Sequence, residues 1–80
     1  MTNKEKYDAA FIESFSIDKE TLNDSLEYDS IEDWDSVGHM TLMGILEETF
    51  EIALDMDDII DFSSYKKGFN LIEKYGIKFD

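Results

Sequence analysis

Apolar residues along this chain recur at helical spacing, and no segment alternates apolar with polar residues as a half-buried strand does. Tyr7, Phe11 and Phe15 follow one another every four residues. They stand behind Thr2 and Glu5, the Thr-x-x-Glu pair of a capping box. An amphipathic helix from about Asn3 to Phe15 is predicted. Farther on, a rotation of about 100° per residue gathers His39, Leu42, Met43, Leu46 and Phe50 on one side, so a helix over Ser36 to Glu51 would turn that side to the core. A short third helix should follow Asp55, an N-cap residue, carrying Met56, Ile59, Ile60 and Phe62 with acids in its first turn. Ser63 or Ser64 caps a fourth that buries Phe69, Ile72 and Tyr65. It ends near Gly76, where a left-handed cap would bring Ile77 onto Ile72. The fold class is all-α, a four-helix bundle, with residues 1–80 forming one domain.

The stretch from Ser16 to Asp35 breaks the pattern. Ile17, Leu22, Leu26, Tyr28, Ile31 and Trp34 stand as isolated apolar anchors among Asp, Glu, Ser and Asn. A loop of this length without structure is uncommon in a compact domain, so it either serves function or contains a short helix, for which Thr21 to Leu26 is the best stretch.

Twenty acidic side chains against seven lysines give a net charge of −13. Such a surface repels nucleic acid and anionic membranes and attracts basic proteins. It also opposes compaction, so salt should raise the melting temperature; mild acid should do the same if mutual repulsion raises the carboxyl pKa values. The absence of cysteine excludes disulfides, thiolate metal sites and a thiol nucleophile. Met1 to Lys6 lacks the apolar run of a signal peptide, and no later stretch is long enough to cross a bilayer, so a cytoplasmic protein is expected. An EF-hand loop starting at Asp33 would need oxygen ligands where Val37 and Gly44 stand, which rejects that calcium site; no metal ligands are assigned.

The segment that carries chemistry is Trp34-Asp35-Ser36-Val37-Gly38-His39-Met40, followed by Leu42, Leu46-Glu47-Glu48 and Phe50. Asp35-Ser36 alone would be read as a helix N-cap. The whole stretch, however, resembles the Asp-Ser-Leu attachment motif and following helix of acyl and peptidyl carrier proteins, with Val37 in place of Leu. The order of elements along the entire chain is also similar to that family. The resemblance implies a four-helix bundle of the acyl carrier protein type, with a long loop between the first two helices and a short third one. It further implies a 4'-phosphopantetheine arm on Ser36 and a role for Asp35 in holding the metal used during its attachment.

In this reading the protein is not an enzyme. It presents acyl thioesters to separate enzymes, and its partners are a phosphopantetheinyl transferase, an acyl-loading ligase or acyltransferase, and ketosynthase-type enzymes with basic surfaces. A monomer is expected. An arm makes chemical sense because a chain without cysteine can carry a thioester only through a prosthetic thiol, and because a helix N-terminus offers N–H groups to a phosphate. An aminoacyl or D-alanyl carrier of the same fold remains open. So does a plain acidic interaction module in which Ser36 is only a cap.

On the outer face of the second helix, Val37, Met40 and Gly44 project together with Glu47, Glu48 and Glu51. The functional reading is a docking surface in which the acids Glu47 and Glu48 steer a basic partner while Val37 and Met40 complete the contact. The bland reading is a solvated face with scattered apolar residues. Gly38 and Thr41 are read as outward positions that the family usually fills with acids. Phe62, Tyr65 and Phe69 should narrow the family's acyl pocket, and these departures suggest a specialised biosynthetic pathway. His39, the single histidine, lies beside the core-facing side and is assigned to packing.

Overall fold

Thr2 opens the first helix with both bonds of a capping box, its Oγ1 accepting from Glu5 N at 3.1 Å while Glu5 Oε1 accepts from Thr2 N at 2.9 Å. These bonds, the backbone one foremost, hold the Glu5 carboxyl below the usual carboxylate range. In the computed structural model, which describes residues 1–79, the chain forms α1 (Asn3–Phe15), a 3-10 turn (Lys19–Thr21), α2 (Ser36–Phe50), α3 (Met56–Asp61) and α4 (Tyr65–Glu73). Among the described residues there is no strand beyond one isolated bridge between Glu27 and Ser64, and no helix is long and apolar enough to cross a membrane.

Helices α1 and α2 pack against each other, and the aromatic ladder of α1 is fully interior, with Tyr7, Phe11 and Phe15 at most 1% exposed. All five residues assigned to the inner side of α2 are buried. Ser16 and Glu51 adopt left-handed conformations with φ of 53° and 55°, closing α1 and α2, so α2 ends one residue before the predicted limit. Ser64 caps α4 by accepting from Lys67 N at 2.9 Å; α4 ends earlier than predicted, at Glu73 with Lys74 as a right-handed cap, and Gly76, at a φ of 89°, lies in the turn that follows. Ile77 packs against the core as a half-buried residue.

The helical turn of the long loop lies at Lys19–Thr21, ahead of the predicted Thr21 to Leu26. Asn23 explains the early stop. Its Oδ1 accepts from Ser25 N at 2.8 Å, a local bond that competes with helix propagation. Beyond it the loop is stitched to the entry of α4, Tyr65 N donating to Leu26 O and Tyr28 N to Ser63 O, both at 2.9 Å.

Two acids that the sequence pattern would leave in solvent are buried. Asp8 sits on the inner side of α1 and receives the Tyr65 hydroxyl at 2.5 Å and Lys4 Nζ at 2.9 Å. Tyr7 in turn donates to the Tyr65 carbonyl at 2.7 Å. Burial raises the phenol pKa of both tyrosines, and the Asp8 bond raises that of Tyr65 further.

Asp58 lies on the covered side of α3. At about 100° per residue, Met56 and Ile60 share one side of a helix and Asp58 with Phe62 the other, and the latter side faces in. Met56 and Ile60 are 74% and 70% exposed. Asp58 Oδ1 accepts from Lys74 Nζ at 2.7 Å and Oδ2 from the Tyr75 hydroxyl at 2.5 Å, while Tyr75 Oη accepts from Asp55 N at 2.9 Å. Short as it is, α3 is thus tied to the end of α4.

Lys74, then Tyr75, holds the Asp58 carboxyl below the usual range. A group with a lowered folded-state pKa stabilises fully above its unfolded pKa, and that stability is lost as pH falls through the folded value. Asp58 and Glu5 therefore run opposite to the raised pKa values on which stabilisation by mild acid depended. The melting temperature should fall below about pH 4, the unperturbed carboxylate range, and the Asp58→Asn variant should show a shallower fall. A pH dependence identical in the two proteins would remove the Asp58 latch from the account. Salt acts on the remaining charge, since only two ion pairs occur among the described residues of a chain that carries twenty acids in all. Raising ionic strength to about 0.15 M should increase the melting temperature.

Candidate functional site

Trp34 is fully buried and fixes the approach to α2. Its indole lies against Phe15, with ring centroids 5.2 Å apart and planes 28° apart, and against His39 at 6.2 Å and 16°. Trp34 Nε1 donates to His39 Nδ1 at 2.9 Å. An indole N–H only donates, so Nδ1 is the acceptor and His39 carries its hydrogen on Nε2, which donates to Ile59 O at 2.7 Å. Both ring nitrogens are therefore spent on structure. The histidine joins the loop, α2 and α3, which realises the packing role assigned to it.

From that anchor the chain turns directly into the cap. Asp35 Oδ1 accepts from Gly38 N at 2.9 Å, and Ser36 is the first residue of α2. Gly38 is not the outward position it was taken for. A Cβ there would overlap the Asp33 carbonyl oxygen and stand 3.2 Å from the Phe15 ring, so glycine permits the loop to close against the helix. Gly44 and Thr41 do lie on the exposed side.

Ser36 is exposed, and its Oγ lies 3.0 Å from the hydroxyl of Tyr28, where either group can donate. Ser36 stands at the rim of a cavity of about 330 Å³ between α2 and α3. Met40 and His39 wall it on one side, Ile59, Ile60 and Phe62 on the other, and Tyr28 and Ser63 complete the rim. Of the three aromatics expected to narrow such a pocket, only Phe62 lines it. Tyr65 and Phe69 are turned away onto Tyr7, at centroid distances of 5.4 and 4.4 Å.

The outer apolar residues Val37 and Met40 are 75% and 57% exposed, and Met56 and Ile60 of α3 extend the exposed apolar surface. The sequence pattern supplied α3 with its apolar residues without saying which of them face out, because a single turn and a half of helix cannot reveal which side is covered. Tyr28 was legible only as an anchor of the loop. Its hydroxyl reaches Ser36 because residues 26–28 run beside residues 63–65.

Glu47 and Glu48 separate. Glu48 is exposed, whereas Glu47 is half-buried and its Oε2 accepts from Leu54 N at 2.8 Å, holding the turn into α3. Glu47→Ala should cost about 1 kcal/mol, the usual worth of such a bond, and Glu48→Lys under about 0.5 kcal/mol. Equal melting temperatures for the two variants would contradict the structural assignment of Glu47. Among the described residues no cluster of three metal-ligating side chains occurs. Comparison of this chain with protein-family models, with curated proteins and with solved structures gives no match.

Proposed function

We propose that the protein is an acyl carrier of the phosphopantetheine-dependent kind, presenting thioesters to separate enzymes of a biosynthetic pathway. The observation that carries this reading is the exposed Ser36 hydroxyl at the start of α2, on the rim of a mainly apolar cavity of about 330 Å³. The residues present fit the arm. Ser36 is accessible to a second protein, the first turn of α2 supplies N–H groups and a positive dipole end to a phosphate, and apolar walls stand within reach of whatever the arm bears.

Attachment forms one bond and breaks one. Ser36 Oγ attacks the pantetheine-bearing phosphorus of coenzyme A, adenosine 3',5'-bisphosphate leaves, and the hydroxyl proton goes to the transferase or solvent. Asp35 caps α2 through Oδ1 and directly precedes Ser36 in the chain, and its carboxylate would help hold the transferase's metal. Once attached, the arm supplies the thiol on which acyl groups are carried.

Val37, Met40 and Glu48 are proposed as the contact surface for the basic transferase and loading enzymes, with Glu47 contributing charge from its structural position. An aminoacyl cargo is compatible with the same site. Incubation with a promiscuous phosphopantetheinyl transferase and coenzyme A should add the mass of one arm. A wild-type protein left unmodified while a control carrier reacts would instead favour an acidic interaction module with Ser36 as a cap.

A further inference from the structure

The hydroxyl beside Ser36 has a chemical consequence once the serine is esterified. Unmodified, the Tyr28–Ser36 pair can donate in either direction across its 3.0 Å. An esterified Ser36 has no hydrogen, so the phenol must become the donor, and a phosphodiester offers it charged oxygens, which make the stronger hydrogen bond. Tyr28 is also held in place on several sides. Its N–H donates to Ser63 O at 2.9 Å, and the N–H of the next residue, Asp29, donates to Trp34 O at 2.9 Å. Asp29 itself takes a left-handed φ of 67°. The Tyr28 ring stands edge-on to His39, with centroids 5.5 Å apart and planes at 89°. Ser36, Tyr28 and Ser63 all lie on the rim of the same cavity, whose walls include Met40, Ile60 and Phe62.

We infer that Tyr28 is a positioning residue that directs the group attached at Ser36 over the cavity between α2 and α3, so that a short apolar acyl cargo is shielded there. This rests on the carrier reading of Ser36. The phenol holds the first phosphate of the arm at the rim, and the apolar walls receive the acyl end. Without that bond the arm swings freely into solvent, and its thioester is attacked as readily as one on a small molecule.

Tyr28→Phe tests this, because it keeps the ring on His39 and removes only the hydroxyl. Wild type and variant are loaded from butyryl-coenzyme A by the transferase, and cleavage of the thioester by hydroxylamine is followed by mass spectrometry. The variant should lose its acyl group several-fold faster, with an unmodified form that melts within a few degrees of wild type. In the wild type, attachment of the arm should move the Tyr28 ring resonances, a readout that does not depend on the variant folding. Equal cleavage rates in two loaded proteins, or Tyr28 resonances that stay in place on attachment, overturn the role of Tyr28 and leave the carrier reading standing. A wild type that accepts no butyryl-pantetheine arm overturns both.

Discussion

Ser36→Ala should abolish attachment of a phosphopantetheine arm completely, while leaving the protein folded. The loss is all-or-none because the hydroxyl is the only atom through which the phosphorus can be bound, and alanine offers no substitute. The fold should barely respond. Ser36 is exposed, its side chain bonds a hydroxyl that is itself partly solvated, and the capping bond of α2 belongs to Asp35. Exposed substitutions of this kind change stability by under about 0.5 kcal/mol. Neighbouring hydroxyls are poor replacements for reasons visible in the structure. Ser30 Oγ is committed to Glu27 O at 2.6 Å, and Ser64 caps α4. Ser63 shares the cavity rim and is exposed, so it is the informative competitor. Peptide mapping after incubation with coenzyme A and transferase decides the matter. An arm found on Ser63 in the Ser36→Ala protein, or equal modification of variant and wild type, would show that the attachment site has been misplaced.

Gly68→Ala should destabilise the fold strongly, the largest stability effect expected for a single methyl group here. Gly68 lies on the buried side of α4, and a Cβ added to it would overlap both the Tyr7 hydroxyl and Phe62 Cζ and stand 2.7 Å from Phe62 Cε1. Neither ring can retreat. Tyr7 and Phe62 are at most 1% exposed, and the Tyr7 hydroxyl is engaged with Tyr65 O at 2.7 Å. Overpacking a tight core costs about 1–3 kcal/mol and occasionally more. Displacing Tyr7 would also leave a buried hydroxyl without its partner, about 1–3 kcal/mol again. For a domain of this size each kcal/mol lowers the melting temperature by about 4–8 °C, so a drop of more than about 10 °C should be read by calorimetry or circular dichroism. Gly44→Ala is the internal control. Nothing lies within 4 Å of a Cβ at that position, and replacing an exposed helical glycine should stabilise by up to about 1 kcal/mol. A Gly68→Ala protein that melts with wild type would mean the contact of α4 with α1 is looser than described.

The amino-acid order determined by itself the features that depend on neighbours in sequence. Thr2 and Glu5 close their capping box three residues apart, Asp35 and Ser64 cap their helices over the same span, and the apolar sides of α1 and α2 follow from a fixed rotation per residue. Ser36 could be singled out because a local motif carries it. Tertiary structure alone decided everything that joins residues far apart in the chain. Asp58 is interior because Lys74 and Tyr75 reach it from the end of α4, Glu47 is a structural residue because Leu54 N returns to it, and Tyr28 meets Ser36 because the loop runs beside Ser63 to Tyr65. The small size of α3 had the same effect, since six residues do not set a periodicity strong enough to choose a face. The physical reason is range. Capping and helical rotation are settled within one or two turns, whereas the burial of a charge is set by partners that arrive only when the chain has folded, and a buried acid is stable only with those partners in place.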